Sequence, residues 1–72
     1  MDLIMSVNER LASIRVLSVS QLSAVIERDN RIYTLINDGG VPVVQHDDSL
    51  CPDGLCSLAI DFVEHPEMFV VR

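Results

Sequence analysis

Two cysteines and two histidines are the side chains of this sequence best suited to bind a metal ion or to act as nucleophile and base. Cys51 and Cys56 have four residues between them, around a Pro-Gly turn, and the histidines are His46 and His65. Zinc sites built on paired cysteines use a closer pair together with a second pair of ligands. The spacing here fits no such template. We therefore predict that both cysteines are reduced thiols and that the chain binds neither a metal nor another cofactor.

Three aspartates near His46 form a second group of chemically capable residues: Asp47, Asp48 and Asp53. Calcium-binding loops need alternating oxygen ligands and a closing glutamate, and this stretch has neither. A solvated acidic loop is the better interpretation, and in a protein-binding function it would contact a basic partner. No serine stands in a nucleophile-elbow context, and no glycine-rich phosphate loop follows a strand. We therefore predict that the protein is not an enzyme.

The charge of the chain bears on which partners it can bind. Five arginines, no lysine and 11 acidic residues give a formal net charge of −6. A protein that neutralises nucleic-acid phosphates usually has a basic footprint. The acidity instead favours a basic protein surface as the partner.

The length and apolar content predict one small domain, residues 1–72, with a limited core. Hydrophobic residues make up 49% of the chain. Apolar side chains that a small core cannot hide are often buried in a homodimer or against a partner. No apolar run approaches the length of a membrane span. We expect a cytoplasmic protein with no membrane partner.

The apolar spacing predicts helices near residues 7–16, 19–27 and 30–37 and a short strand at 41–45. The second helix would begin at a capping box, in which Ser18 and Gln21 satisfy the first backbone donors. Glycines after residue 38 would end the third helix, because glycine accepts the left-handed conformation beyond a helix end.

An alternative pattern in the same stretch is left open. Residues 32–36 are rich in β-formers, and Asn37-Asp38-Gly39-Gly40 is a strong hairpin turn. In that interpretation residues 31–36 pair with 41–45, which gives an α+β fold with an N-terminal helix packed on a small antiparallel sheet. Residues 57–65 fit a helix or an edge strand, and the apolar end at 68–71 would pair as a strand or dock on the core.

Part of the chain resembles the excisionase and MerR-type helix-turn-helix family. The resemblance lies in residues 17–44, at Leu17-Ser18-Val19 with Leu22, at Ile32-Tyr33 with Leu35-Ile36-Asn37-Asp38-Gly39, and at Val41-Pro42. It implies a mainly α fold with a small β wing, in which the second helix of the motif reads the major groove of DNA.

Two functions follow as hypotheses. The first is a small DNA-binding transcription regulator of a phage or mobile element that acts as a homodimer or in cooperative arrays. Its DNA contacts would be made by four residues at the start of the recognition helix: Arg28, Asn30, Arg31 and Thr34. The second is an acidic protein-interaction module, such as an inhibitor, an antitoxin or a phage protein directed against its host. It would mask a basic partner through Asp47, Asp48 and Asp53.

Overall fold

The fold is an antiparallel four-stranded sheet covered on one face by helices. A computed structural model describes residues 7–46 and 54–71 of the chain. The strands follow each other in the order β1-β2-β3-β4, and every neighbouring pair is antiparallel. In this part of the chain no helix is both long and apolar enough to cross a bilayer. The elements are α1 (Val7–Ala12), β1 (Arg15–Val19), β2 (Ser23–Arg28), β3 (Arg31–Asp38), β4 (Val41–Gln45), α2 (Leu55–Glu64) and a 3₁₀ turn (Pro66–Met68).

Two tight turns set the register of β2, β3 and β4. Asp29 and Asn30 connect β2 to β3 with φ of 54° and 64°, and Gly39 and Gly40 connect β3 to β4 with φ of 61° and 94°. Positive φ at both central residues marks the two-residue hairpin loop whose twist matches that of the flanking strands. The backbone N–H of Gly40 also donates to Asn37 Oδ1 at 2.7 Å. Both loops therefore direct the chain straight back along its own sheet.

The turn at Gly39 provides a test of this backbone geometry. A Cβ added there would meet no atom within 4 Å, so a substitution is penalised through its positive φ alone. We expect Gly39→Val to lower the free energy of unfolding by about 1–3 kcal/mol, because β-branched residues rarely adopt this conformation. Gly39→Asn is the matched control and should cost less, since asparagine tolerates it. Thermal denaturation followed by circular dichroism measures both, and an equal loss in the two variants would contradict the assignment.

The core lies between the helices and one face of the sheet. Successive strand residues point to opposite faces, and in β2 and β3 the fully buried ones alternate at Ala24, Ile26, Tyr33 and Leu35. α2 packs against β3 and β4. The buried apolar residues outside β2 and β3 are Leu11, Val16, Leu55, Leu58, Ala59, Phe62 and Phe69.

The C-terminal segment docks on this core. The rings of Phe62 and Phe69 meet edge to face, with centroids 5.3 Å apart. Phe69 is buried, whereas Val70 and Val71 are exposed. Docking was one of the two predictions for this segment, and it is confirmed at Phe69.

A partly buried ion pair joins α1 and α2. Arg10 of α1 donates from Nε to Asp61 Oδ2 at 2.6 Å and from Nη2 to Asp61 Oδ1 at 2.9 Å. Asp61 lies on α2 and is only 4% exposed. Two parallel bonds from one guanidinium to one carboxylate hold both groups in a defined orientation. The pair therefore sets the position of α1 along α2.

The predicted mainly α, helix-turn-helix-like fold with a small wing is wrong. The predicted helices at 19–27 and 30–37 are the strands β2 and β3, and the first helix ends at Ala12 rather than near residue 16. Ser18, the supposed helix cap, lies in β1 and pairs with Val25. The alternative α+β architecture is the one observed, and the strand at 41–45 and its pairing with β3 are confirmed.

The error has a physical cause. Apolar residues occupy both faces of β2 and β3, so the alternation that marks a half-buried strand is hidden. Val25 and Ile26 are adjacent and point to opposite faces, and Leu35 and Ile36 do the same. Read along the chain, such pairs imitate the i, i+3, i+4 spacing of a helix.

Candidate protein-interaction surfaces

The four predicted DNA-contact residues do not form a helix start. Arg28 is the last residue of β2, Asn30 lies in the β2–β3 turn, and Arg31 is the first residue of β3. Arg28 and Arg31 are opposite each other across the two strands. Thr34 is paired with Val25, on the face of the sheet away from the helices. The Arg28 side chain reaches Gly54, just before α2, and its Nε lies 4.0 Å from a carboxylate oxygen of Asp29. The structure therefore has a β-hairpin at the position where the recognition helix was predicted.

The predicted acidic loop lies outside the described residues. Asp47, Asp48 and Asp53 belong to it, as does Cys51. Their assignment as partner-binding residues stays a prediction. So does the assignment of both cysteines as reduced thiols. Among the residues that are described, no three His, Cys, Asp or Glu side chains are grouped as metal ligands would be.

A small hollow lies between β4 and α2. Its volume is about 250 Å³, and its lining is Pro42, Val44, His46, Cys56, Ala59 and Ile60. The imidazole of His46 lies 6.2 Å from the ring of Tyr33, centroid to centroid. Its Nδ1 is buried, and within the described part of the chain it has no hydrogen-bond partner. This volume is below the usual range of small-molecule sites, and one histidine beside one exposed cysteine defines no reaction.

The charges of the described residues are separated between the two layers. The strands and their turns carry equal numbers of arginines and acids, namely Arg15, Arg28 and Arg31 against Glu27, Asp29 and Asp38. The helical layer carries four acids and one arginine, namely Glu9, Asp61, Glu64 and Glu67 against Arg10. The sheet is thus formally neutral, and the helices hold an excess of negative charge.

We call Glu9, Glu64 and Glu67 the acidic helical surface. Each is exposed, and because Arg10 is bonded to Asp61, these three glutamates account for the net negative charge of the described helical layer. The pKa of Arg10 is raised above its ordinary value, chiefly by the hydrogen bond to Asp61 and further by the charges of Asp61 and Glu9, against the opposing effect of burial.

The C-terminal part of this surface also has an apolar residue. Glu64 follows Ile60 by one helical turn, so the two side chains share one face of α2. Ile60 is 44% exposed. The imidazole Nδ1 of His65 lies 3.8 Å from the Glu67 carboxylate.

The second surface is the face of the sheet opposite the helices. We call Val25, Ile32, Ile36, Val41 and Val43 the open sheet face. Residues opposite each other in neighbouring strands share a face, and so do residues two apart in one strand. Ile32 is opposite Glu27, Val25 is opposite Thr34, Ile36 is opposite Val43 and Val41 is opposite Asp38, so all five lie on one side. Ile32 is 60% and Val41 58% exposed, and the other three are half-buried.

Comparison with protein-family models, with curated proteins and with solved structures found no match. Neither surface was predicted from the sequence. The acidic contact was predicted in the 47–53 loop, although Glu64 and Glu67 follow Asp61 at three-residue intervals. The sequence signal for the open sheet face is the run of β-branched residues with apolar side chains at odd and even positions alike.

Proposed function

We propose that this chain is an acidic protein-interaction module of the cytoplasm, which binds a basic surface of a partner protein through the acidic helical surface. The charge separation between the layers carries the proposal. Acidity scattered evenly over a small protein serves solubility. Here the described acids outnumber the arginines in one layer only, so a partner that approaches the helical layer meets a net negative charge.

Electrostatics of this kind acts mainly on association rate and partner choice. Exposed charges attract a basic surface over about one Debye length, roughly 8–10 Å at physiological salt. Glu64 and Glu67 lose little hydration when they meet exposed arginine or lysine side chains. Burial of Ile60 beside them would add an apolar contribution that salt does not screen.

The DNA-binding hypothesis stays a prediction, but its structural premise is wrong. It needed a helix beginning near Asn30, and that residue lies in a hairpin turn. Three arginines, Arg15, Arg28 and Arg31, lie at this end of the sheet with two acids, Glu27 and Asp29. The net charge of +1 is far from a basic footprint for phosphate. We therefore do not propose DNA reading through a recognition helix.

The test compares two double variants that change the formal charge equally. Glu64→Gln/Glu67→Gln neutralises the acidic helical surface, and Asp29→Asn/Asp38→Asn neutralises two acids in the sheet layer. Each variant and the unmodified protein are immobilised and exposed to nuclease-treated lysate, and the retained proteins are identified by mass spectrometry. Affinity for the retained partner is then measured at two salt concentrations.

We expect a basic partner whose affinity falls about threefold to tenfold in the first variant, because each exposed ion pair contributes roughly 0.2–1 kcal/mol. The second variant should bind as the unmodified protein does, and added salt should weaken binding. A partner that binds both variants equally, or the absence of any retained protein at low salt, would contradict the proposal.

A further inference from the structure

The open sheet face is apolar where an uncovered face is usually polar. Antiparallel sheets with one solvated side alternate between apolar residues toward the core and polar residues toward water. In this sheet both sides carry apolar residues, and Ile32 and Val41 are more than half exposed. The same face also carries Thr34, Glu27 and Asp38, so it combines exposed apolar side chains with a few polar ones, as the contact surfaces of soluble proteins do.

The charges on this face disfavour a strongly basic or acidic partner. Arg15 and Glu27 are opposite each other in the register, with Nη1 and Oε1 3.8 Å apart. Asp38 lies at the other end of β3, opposite Val41. The face is thus close to neutral, in contrast to the acidic helical surface behind it.

We propose that the open sheet face packs against the same face of a second copy of this chain. Two neutral apolar faces can meet without bringing together the acids of the helical layers, which then point away from each other. A two-fold axis running across the strands also places the Arg15 end of one sheet over the Asp38 end of the other, so that the two Asp38 carboxylates do not face each other. The product is a sandwich of two sheets, roughly 10 Å apart, with helices outside.

The size of the face sets the expected affinity. Four strands about 4.8 Å apart and about five residues long, at roughly 3.4 Å per residue, give a footprint of about 19 by 17 Å. A contact of about 320 Å² on each copy, or roughly 650 Å² in total, is smaller than a standard specific interface and belongs to the weak, transient class. We therefore expect a reversible dimer with a dissociation constant in the micromolar range rather than a permanent one. Dimerisation through the open sheet face does not require the basic partner proposed above.

Pairing through the β4 edge is the competing geometry, and Pro42 disfavours it. In a two-residue hairpin the residues flanking the loop form a hydrogen-bonded pair, so Asp38–Val41 is such a pair and Asn37–Pro42 is not. The backbone nitrogen of Pro42 consequently points away from β3, toward the edge. Proline has no N–H to donate to an added strand. The second copy is therefore placed on the face and not at this edge.

The test uses threonine substitutions, which keep the shape and the strand propensity of valine and isoleucine while making the face polar. The variant Ile32→Thr/Val41→Thr alters the open sheet face. The control Ile60→Thr/Val70→Thr alters two exposed apolar residues elsewhere, with the same pair of residue types. Sedimentation velocity over a dilution series from about 1 to 500 µM, a range that brackets the expected dissociation constant, gives the monomer–dimer equilibrium of each.

We expect the unmodified protein and the control to dimerise and the face variant to dissociate at least tenfold more readily. A monomer throughout the series, or equal weakening in both variants, would overturn the proposal. Should the face variant fail to fold, amide spectra of the unmodified protein over the same dilution series decide the matter. Concentration-dependent shifts at Val25, Ile36 and Val43 support the proposal, and shifts confined to the helices or to the β4 edge overturn it.

Discussion

Replacing Phe62 with alanine is expected to lower the free energy of unfolding by about 3–5 kcal/mol, the usual cost of removing a buried aromatic side chain. Phe62 is 1% exposed and lies on the face of α2 that covers the sheet. It also holds Phe69 through the edge-to-face contact, so the truncation loosens the C-terminal segment as well. A domain of this size has little stability in reserve, and a loss of this order would leave it partly unfolded.

Equilibrium unfolding in urea, at one fixed protein concentration, measures this loss. Val70→Ala is the control, since Val70 is exposed and next to Phe69, and it should change stability by less than about 0.5 kcal/mol. A loss below about 1 kcal/mol for Phe62→Ala, with an unchanged dependence on urea, would mean that the site collapses around the cavity or that α2 is not the main cover of the sheet.

Breaking the pair of Arg10 and Asp61 from one side is expected to give the second large loss of stability. Asp61→Ala leaves the Arg10 guanidinium without its bidentate acceptor, in a site that shelters it from water. Removing one partner of a buried pair costs far more than the pair itself contributes, because the remaining charge is uncompensated. The double variant Arg10→Met/Asp61→Leu removes both charges and should regain much of the stability that Asp61→Ala loses.

Urea midpoints of Asp61→Leu, Arg10→Met and the double variant complete the double-mutant cycle, and Asp61→Ala is compared with Glu64→Ala, an exposed control on the same helix. Asp61→Ala should fall well below Glu64→Ala and below the double variant. Additive losses in the double variant would show that the two side chains act independently, against the hydrogen bonds at 2.6 and 2.9 Å.

At alkaline pH, the stability that this pair contributes depends on the raised pKa of Arg10. The pKa of Arg10 is raised in the folded state. A cation of this kind stabilises the folded state fully at every pH below its unfolded-state pKa, which for arginine is far above neutral, and loses the contribution only as the pH rises through the folded-state pKa. The Arg10 contribution should therefore stay constant at every ordinary alkaline pH. A loss of stability in mildly alkaline solution that Arg10→Met abolishes would contradict this.

Local chemistry in the sequence determined several features directly. The strand at 41–45 follows from its β-branched residues, and the turn at Gly39 and Gly40 follows from the need for positive φ. The first helix, the net charge of −6 and the limited size of the core also follow from composition and short-range pattern. Each of these depends on residues that are neighbours in the chain.

Tertiary structure decided the identity of β2 and β3 and, with it, both proposed surfaces. Val25, Ile26, Leu35 and Ile36 satisfy a helical pattern and a strand pattern equally well, so local spacing cannot choose between them. The choice is made when α2 covers one side of the sheet and buries Ile26 and Leu35, which leaves Val25 and Ile36 on the other. The Arg10–Asp61 pair, 51 positions apart in the chain, and the separation of charge between the layers arise in the same way. Packing between distant segments determines which side chains meet, and no short-range pattern in the chain contains that information.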